Sequence, residues 1–304
     1  MVMKIYNNPN LNKKHLNGVI AIGNFDGLHL GHQKLFKLAK NFKKKFALKV
    51  GVLTFEPMPK MFFYKDLKNF RISNQKQKIS LLQRFDVDFV VIKKFDKKFS
   101  KTSAENFIEQ VLYKKLKAKL IFISQNFKFG KNRAGNINLL KKKESIYKYK
   151  TKTVKPLNKY KSIISSTLIR KNIIMGRINS VNKMLGRSWT IEGIVKKGEK
   201  RGRKIGFPTC NLELKDYVIP KAGVYASKII LNKNFKRKGI VNIGYKPTFG
   251  KNKLLLEAHI FGLKKNLYDK SIKIMLTKFI RKEKKFKNIM KLKNQIKKDI
   301  KQAK

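Results

Sequence analysis

The hydrophobic pattern changes character about three fifths of the way along the chain. Before that point, short apolar runs stand between amphipathic stretches: VIAI at 19–22, LKVGVLTF at 48–55, VDFVVI at 87–92 and KLIFIS at 119–124. Runs of this length without polar alternation suit strands buried on both faces of a parallel sheet. The stretches between them read as helices. Leu35, Leu38, Ala39 and Phe42 recur at helical spacing, and Thr102 to Glu105 has the form of a capping box ahead of Phe107, Ile108, Val111 and Leu112. Strand and helix in alternation predict a doubly wound α/β domain.

From Trp189 onward the runs are WTIEGIV, VYASKIIL, KGIVNI, LLLEAHI and SIKIML, punctuated by Gly and Pro. In the last of them Ile272, Ile274 and Leu276 share one face and Lys273 takes the other, the period of a half-buried antiparallel strand. This part reads as a small antiparallel β-barrel. It is followed by a C-terminal helix whose apolar stripe, Phe286, Ile289, Leu292, Ile296 and Ile300, is expected to pack on the barrel. The expected domains are 1–182 and 183–304, and no internal repeat is evident.

A length of 304 residues suits two domains. The charge of +58, from 75 Lys plus Arg against 17 Asp plus Glu, would suggest disorder in a chain poor in apolar residues, but this one is 42% hydrophobic with 22 Phe. Only ten of the basic residues are Arg, and the Lys are spread along the whole length. Base reading and bidentate phosphate clamps favour Arg, so no specific nucleic-acid partner is expected, only weak salt-sensitive attraction to polyanions. A lysine-biased composition from an A+T-rich genome, with most Lys on solvated faces, is the preferred account of the charge. The lone Cys210 excludes an intramolecular disulfide and a cysteine-based zinc site, which makes the cytoplasm the expected compartment. The first residues contain no apolar signal core, and no uncharged stretch reaches the ~18 residues of a membrane span.

Two constellations carry chemistry. Residues 23–32 read GNFDGLHLGH, between a predicted strand and a predicted helix. Gly23, Asn24, Phe25, Gly27 and Gly31 form a turn that allows close backbone approach, and the helix beginning there directs N–H groups at an anion. His29 and His32, half of the four histidines, can donate hydrogen bonds to a triphosphate. SSTLIR at 165–170 adds the hydroxyls of Ser165, Ser166 and Thr167 and the guanidinium of Arg170 as a second phosphate clamp. The other constellation opens with GEKRGRKIGFPTCN at 198–211. Gly198, Arg203 and Lys204 form a basic loop ahead of Pro208, Thr209 and Asn211, and the Thr209 hydroxyl and Asn211 carbonyl are suitable oxygen ligands for Mg²⁺. Glu257 lies on the strand face opposite Leu256, Ala258 and Ile260, placed to take a proton from an attacking hydroxyl.

The H-x-G-H and I-S-S-T-x-x-R pair resembles the nucleotidylyltransferase superfamily. The whole chain resembles the prokaryotic bifunctional riboflavin kinases and FMN adenylyltransferases, often called FAD synthetases. The N-terminal match runs through GNFDGLHLGH, TFEPMP at 54–59, NFKFGKNRAG at 126–135 and ISSTLIR; the C-terminal match runs through LGRSW at 185–189, RGRKIGFPTCN, NIGYKPTF, the Glu257 strand, NLY at 266–268 and RKEKKF at 281–286. The resemblance implies a Rossmann-like adenylyltransferase domain and a barrel kinase domain that use ATP with Mg²⁺ to turn riboflavin into FMN and then FMN into FAD. By the same resemblance His29 and His32 act on ATP phosphates, with Ser165, Thr167 and Arg170 holding the nucleotide. Asn126 positions the reacting phosphates, while Phe127 and the segment with Pro57, Pro59 and Phe62 line the FMN pocket. Thr209 and Asn211 hold MgATP, and Glu257 is the base for the ribityl hydroxyl. The chain departs from the family pattern at Ser124 and Asp269, where Gly is usual, and at Cys210, where Ala is usual.

Overall fold

The computed structural model describes every residue except 1–2, 160–161, 199–200, 233–234, 249–250 and 264, and leaves aside the side chains of 201, 246–248 and 251–253. Glu199 and Lys200 of the basic loop and Phe249 of NIGYKPTF thus lie outside the described residues. The chain forms two compact units: residues 1–68 with 75–165, and residues 69–74 with 166–304.

In the first unit β1 (Lys4–Tyr6), β2 (Val19–Ile22), β3 (Val50–Glu56), β4 (Phe89–Lys94), β5 (Leu120–Ser124) and β6 (Lys150–Val154) form one sheet in the order β1-β4-β3-β2-β5-β6, all neighbours parallel. The order reverses at β2, as a doubly wound sheet requires. Every residue of β2 is buried, which explains why VIAI shows no polar alternation. The helix Leu30–Phe46 buries Leu35, Phe36 and Ala39. Leu38, expected inward, is 36% exposed because Phe36 takes the inward place beside Phe25 and Phe85. The expected cap at Thr102 moves by one residue: Ser103 Oγ accepts from Asn106 N at 3.0 Å, and the helical run that follows buries Phe107, Ile108, Val111 and Leu112. A short hairpin of β7 (Asn158–Lys159) and β8 (Ser162–Ile163) completes this unit.

In the second unit β9 (Trp189–Ile194), β10 (Cys210–Leu212), β11 (Gly223–Asn232), β12 (Phe235–Thr248), β13 (Lys251–Ile260) and β14 (Ser271–Arg281) form an antiparallel sheet in the order β10-β13-β12-β11-β14-β9. Its two ends meet where Lys196 N donates to Asn211 O at 2.9 Å, so the sheet curls into a barrel. The helix Ile178–Leu185 packs on β9 and β14 and ends at Gly186 in the left-handed conformation. The C-terminal helix Ile289–Ala303 lies against β11, β12 and β14. Its stripe is shorter than expected: Phe286 precedes the helix and Ile289 is 61% exposed, whereas Leu292, Ile296 and Ile300 face inward with the buried Asp299.

Residues 69–74 are built into this second unit. Phe70 N and Arg71 N donate to Asp216 O, Val218 N donates to Arg71 O, and Trp189 Nε1 donates to Ile72 O at 2.7 Å. The helix Ser166–Ile174 lies before the boundary expected at 182/183 and the helix Ile178–Leu185 spans it; both cluster with this unit.

Candidate functional site

β2 ends at Ile22, and the chain turns through Gly23 and Asn24 to Phe25 and Leu28, whose φ angles are 48° and 35°. Gly27, at φ 76°, supplies the left-handed step without Cβ strain. The Phe25 ring, 2% exposed, plugs the turn into the core against Phe36, and Gln33 Nε2 ties the turn down by donating to Leu28 O at 2.9 Å. The helix Leu30–Phe46 then starts with no side-chain cap, so its first N–H groups, Gly31 among them, remain available to an anion.

His29 and His32 stand at this start with ring centroids 3.6 Å apart and planes 22° from parallel. Phe25 meets His32 edge-on at 5.2 Å. Nδ1 of His32 is buried without a hydrogen-bond partner among the described residues. Burial, and then the neighbouring His29, hold the His32 pKa well below its usual 6.5, so at neutral pH His32 is an uncharged imidazole with one N–H to donate. Under the turn, the carbonyl of Asn24 lies 3.5 Å from both Lys78 Nζ and Thr54 Oγ1, and Lys78 Nζ donates to Thr54 Oγ1 at 3.2 Å. Lys78 is 3% exposed, a buried cation directly beneath the cradle that favours anions there. One lysine among 65 offers no contrast in the sequence, and only its burial singles it out.

The cradle follows β2, TFEPMP closes β3 and NFKFG follows β5, so three of the matched segments converge on the carboxyl edge where the strand order reverses. Open α/β sheets bind their ligands at such an edge. Asn126 is exposed there, and Pro57, Pro59, Phe62 and Phe127 are partly exposed. Phe62 and Phe127 are the ends of one aromatic row. It runs from Phe62 to Phe95 (5.2 Å), Phe99 (5.7 Å), Phe107 (6.2 Å), Phe129 (5.3 Å) and Phe127 (5.7 Å). Phe107 and Phe129 are buried in the core, so only Phe62, Phe95, Phe99 and Phe127 of this row are partly open to a flat apolar ring. The sequence reading missed Phe95 and Phe99, whose K-K-F-D-K-K-F context reads as a charged surface.

Ser165 belongs to the first unit, and Ser166, Thr167 and Arg170 to the second. The Arg170 guanidinium lies over the Phe70 ring at 3.7 Å, and its Nε donates to Phe70 O at 2.8 Å. Within its own unit Arg170 thus fastens residues 69–74.

In the barrel, Asn211, Glu257 and Asn242 sit abreast on β10, β13 and β12. Asn242 Nδ2 donates to Glu283 Oε1 at 3.2 Å. Oδ1 of Asn211 is buried with no hydrogen-bond partner among the described residues, an orphan oxygen of the kind a cation satisfies. A Cβ on Gly198 would collide with the Asn211 amide, which would then have to move from its place. Pro208, Thr209 and Arg203 line an open cleft with Asn266, Leu267 and Tyr268, while Lys204 is exposed. Among the described residues no cluster of three or more His, Cys, Asp or Glu could hold a metal, so a cation here would take hydroxyl, amide and phosphate oxygens.

Residues 11–168 match the family model described as FAD synthetase, and residues 185–304 match the one described as riboflavin kinase. The chain is 42% identical over 296 residues to the bifunctional riboflavin kinase/FMN adenylyltransferase of Buchnera aphidicola subsp. Schizaphis graminum, covering 96% of this chain and 94% of that one. The chain belongs to this bifunctional family. Members of the same description from Haemophilus influenzae and Escherichia coli (strain K12) are 35% and 34% identical, covering 94% and 92% of this chain and 92% and 90% of theirs. A crystal structure described as a macrolide-efflux protein from Streptococcus pneumoniae superposes with a TM-score of 0.87 at 27% identity, over 100% of this chain and 99% of that one. The efflux description belongs to that protein. As a riboflavin kinase and FMN adenylyltransferase, this chain is a transferase acting on riboflavin, FMN and ATP. The ATP chemistry of the family implies a divalent metal. No helix among the described residues is long and apolar enough to cross a membrane.

The family resemblance singled out three departures. Asp269 has φ 59°, the left-handed conformation that glycine adopts freely and Asp tolerates better than most residues, and its N–H donates to Val195 O at 2.9 Å. Cys210 is partly buried beside the cleft, and burial raises its pKa. Ser124 ends β5 with an exposed side chain.

Proposed function

We propose that the two reactions run on separate residue sets, with His29 and His32 serving adenylyl transfer and Glu257, Thr209 and Asn211 serving phosphorylation. The observation that carries this reading is the distribution of the sets: the histidine pair lies wholly within the first unit, and the three barrel residues lie wholly within the second. In the kinase step Glu257 takes the proton of the ribityl 5′-hydroxyl as its oxygen bonds to the γ-phosphorus of ATP, and the bond to ADP breaks. Asn211 Oδ1 and the Thr209 hydroxyl are the protein ligands we assign to the metal, with Mg²⁺ as the cation; when bound, it screens the charge of the triphosphate. Gly198, Pro208, Arg203 and Lys204 form the phosphate loop around them.

In the second step an ionised FMN phosphate oxygen attacks the α-phosphorus of another ATP, and pyrophosphate leaves. The imidazoles of His29 and His32 donate N–H groups to phosphate oxygens as charge gathers there. Gly23, Asn24, Phe25, Gly27 and Gly31 shape the cradle. Asn126 positions the phosphates, and Pro57, Pro59, Phe62 and Phe127 receive the isoalloxazine ring. The adenylyl step is rested on the histidines; Ser165, Ser166, Thr167 and Arg170 keep the nucleotide-binding role implied by the resemblance. We place the enzyme in the cytoplasm, in keeping with its bacterial relatives.

The test uses purified protein, riboflavin, ATP and Mg²⁺, with flavins separated over time. FMN is expected first and FAD second, and EDTA is expected to stop both steps. His29→Ala and His32→Ala should slow FAD formation by about 10² to 10³ while FMN formation continues. Glu257→Gln should slow riboflavin phosphorylation by about 10² to 10⁴ yet convert supplied FMN to FAD at a normal rate. Equal loss of both activities in either variant contradicts the division.

A further inference from the structure

Of the two histidines that the two reactions leave unused, His15 is bonded to Tyr6 in the first unit and His259 stands in the barrel. It lies on β13 two residues beyond Glu257, on the same strand face, because side chains alternate along a strand. Its Nδ1 is 2.8 Å from the carbonyl oxygen of Pro208. A carbonyl only accepts, so Nδ1 carries the hydrogen and His259 is the donor. Phe207 meets the imidazole edge-on at 5.6 Å and Phe261 flanks it at 5.8 Å, which fixes the ring against the loop.

The position of this bond gives it weight. β10 has only three residues, and its ladder with β13 pairs Cys210 with Ala258, Asn211 with Glu257 and Leu212 with Leu256. The ladder stops one residue short of Thr209. Pro208 has no N–H, so its carbonyl is the only backbone group through which that residue can be tied to the neighbouring strand. The side chain of His259 makes this tie and so extends the register of β13 past the end of the ladder.

We infer that His259 is a positioning residue for phosphorylation: it holds the Pro208–Thr209 backbone in register with the strand that carries Glu257. The nucleotide-binding hydroxyl and the base are then set by one strand. The inference rests on the kinase reading above and adds to it the group that fixes where MgATP sits relative to the base.

Full-length protein with His259→Leu and His259→Asn tests it. Leucine fills space between the phenylalanines but cannot donate, whereas the Asn amide nitrogen can take the place of Nδ1. Losing one such bond should raise KM for MgATP in riboflavin phosphorylation by about five- to tenfold in the leucine variant. KM for riboflavin should stay within about twofold, and conversion of supplied FMN to FAD should be unchanged, which also reports a folded chain. The Asn variant should recover most of the loss. The inference is overturned if His259→Leu leaves KM for MgATP within about twofold, if both activities fall together, or if Asn does no better than Leu. Glu257→Gln separates the two levels: an inactive kinase there with a normal His259→Leu enzyme refutes the positioning role alone, while an active Glu257→Gln kinase refutes the underlying reading.

Discussion

His29 and His32 lie ring on ring at the start of one helix, and their stacking limits how much charge they can carry. Burial and the neighbouring imidazole keep His32 neutral below its usual 6.5, whereas in the unfolded chain it takes up a proton near that value. The unfolded state then holds more protons below pH 6.5, so this contribution to stability is complete above 6.5 and declines as pH falls toward the lowered native value. The decline is at most about 1.4 kcal/mol per pH unit for one proton. His15 adds a second slope of the same sign, since burial and then Lys14 lower its pKa too. Urea denaturation between about pH 5 and 7.5 should therefore show stability rising with pH, and His32→Gln should flatten but not abolish the rise. Identical slopes in the two proteins would mean that His32 is protonated in the native state. The histidine pair was legible in the sequence because H-x-G-H sits between a strand and a helix. Lys78 and Phe95 were not, because burial and ring contact arise only when distant segments meet.

Among the elements, the strands buried on both faces could be read directly, while β1, β6 and β10 could not. β1 and β6 are the edges of their sheet, and KTKTV in β6 buries only Thr151 and Val154, so the apolar run that marks an inner strand is missing. β10 is too short to show a period. The C-terminal helix was foreseen, but its polar fastening was not. Asp299, 1% exposed, accepts two hydrogen bonds from Arg281 Nε (2.9 and 3.1 Å), one from Nη2 (2.7 Å) and one from Gln295 (2.9 Å). A buried carboxylate is tolerable only when satisfied in this way, and removing it leaves the guanidinium without its partner. Asp299→Ala should cost about 3 to 5 kcal/mol, read as a lower Tm by thermal denaturation, while the double change Arg281→Met with Asp299→Leu should cost less. A double variant as unstable as Asp299→Ala would show that packing of the helix, and not the stranded charge, sets the loss.

At the scale of the molecule, the change of pattern near Trp189 marks where the barrel begins, yet the second compact unit also takes in 69–74 and the two helices before the barrel. FRIS at 70–73 offers no period, and its partners lie 100 or more positions away, so nothing local predicts its membership. A fragment 183–304 loses the acceptor of Trp189 Nε1 and most of the helix Ile178–Leu185, including the buried Ile178 and Val181. A fragment 166–304 keeps that helix and should melt at a higher temperature; equal Tm values would show that the helix adds nothing to the barrel. The same segment has a consequence for synthesis. Asn69 and Tyr217 are joined by a hydrogen bond across 148 positions. A ribosome adding about 5 to 20 residues per second exposes 69–74 roughly 7 to 30 s before that partner exists. During this interval the six residues remain outside their native setting, between a sheet that can already close and a barrel still unmade, and the newborn chain offers chaperones and proteases a recognition point that vanishes once the barrel is complete.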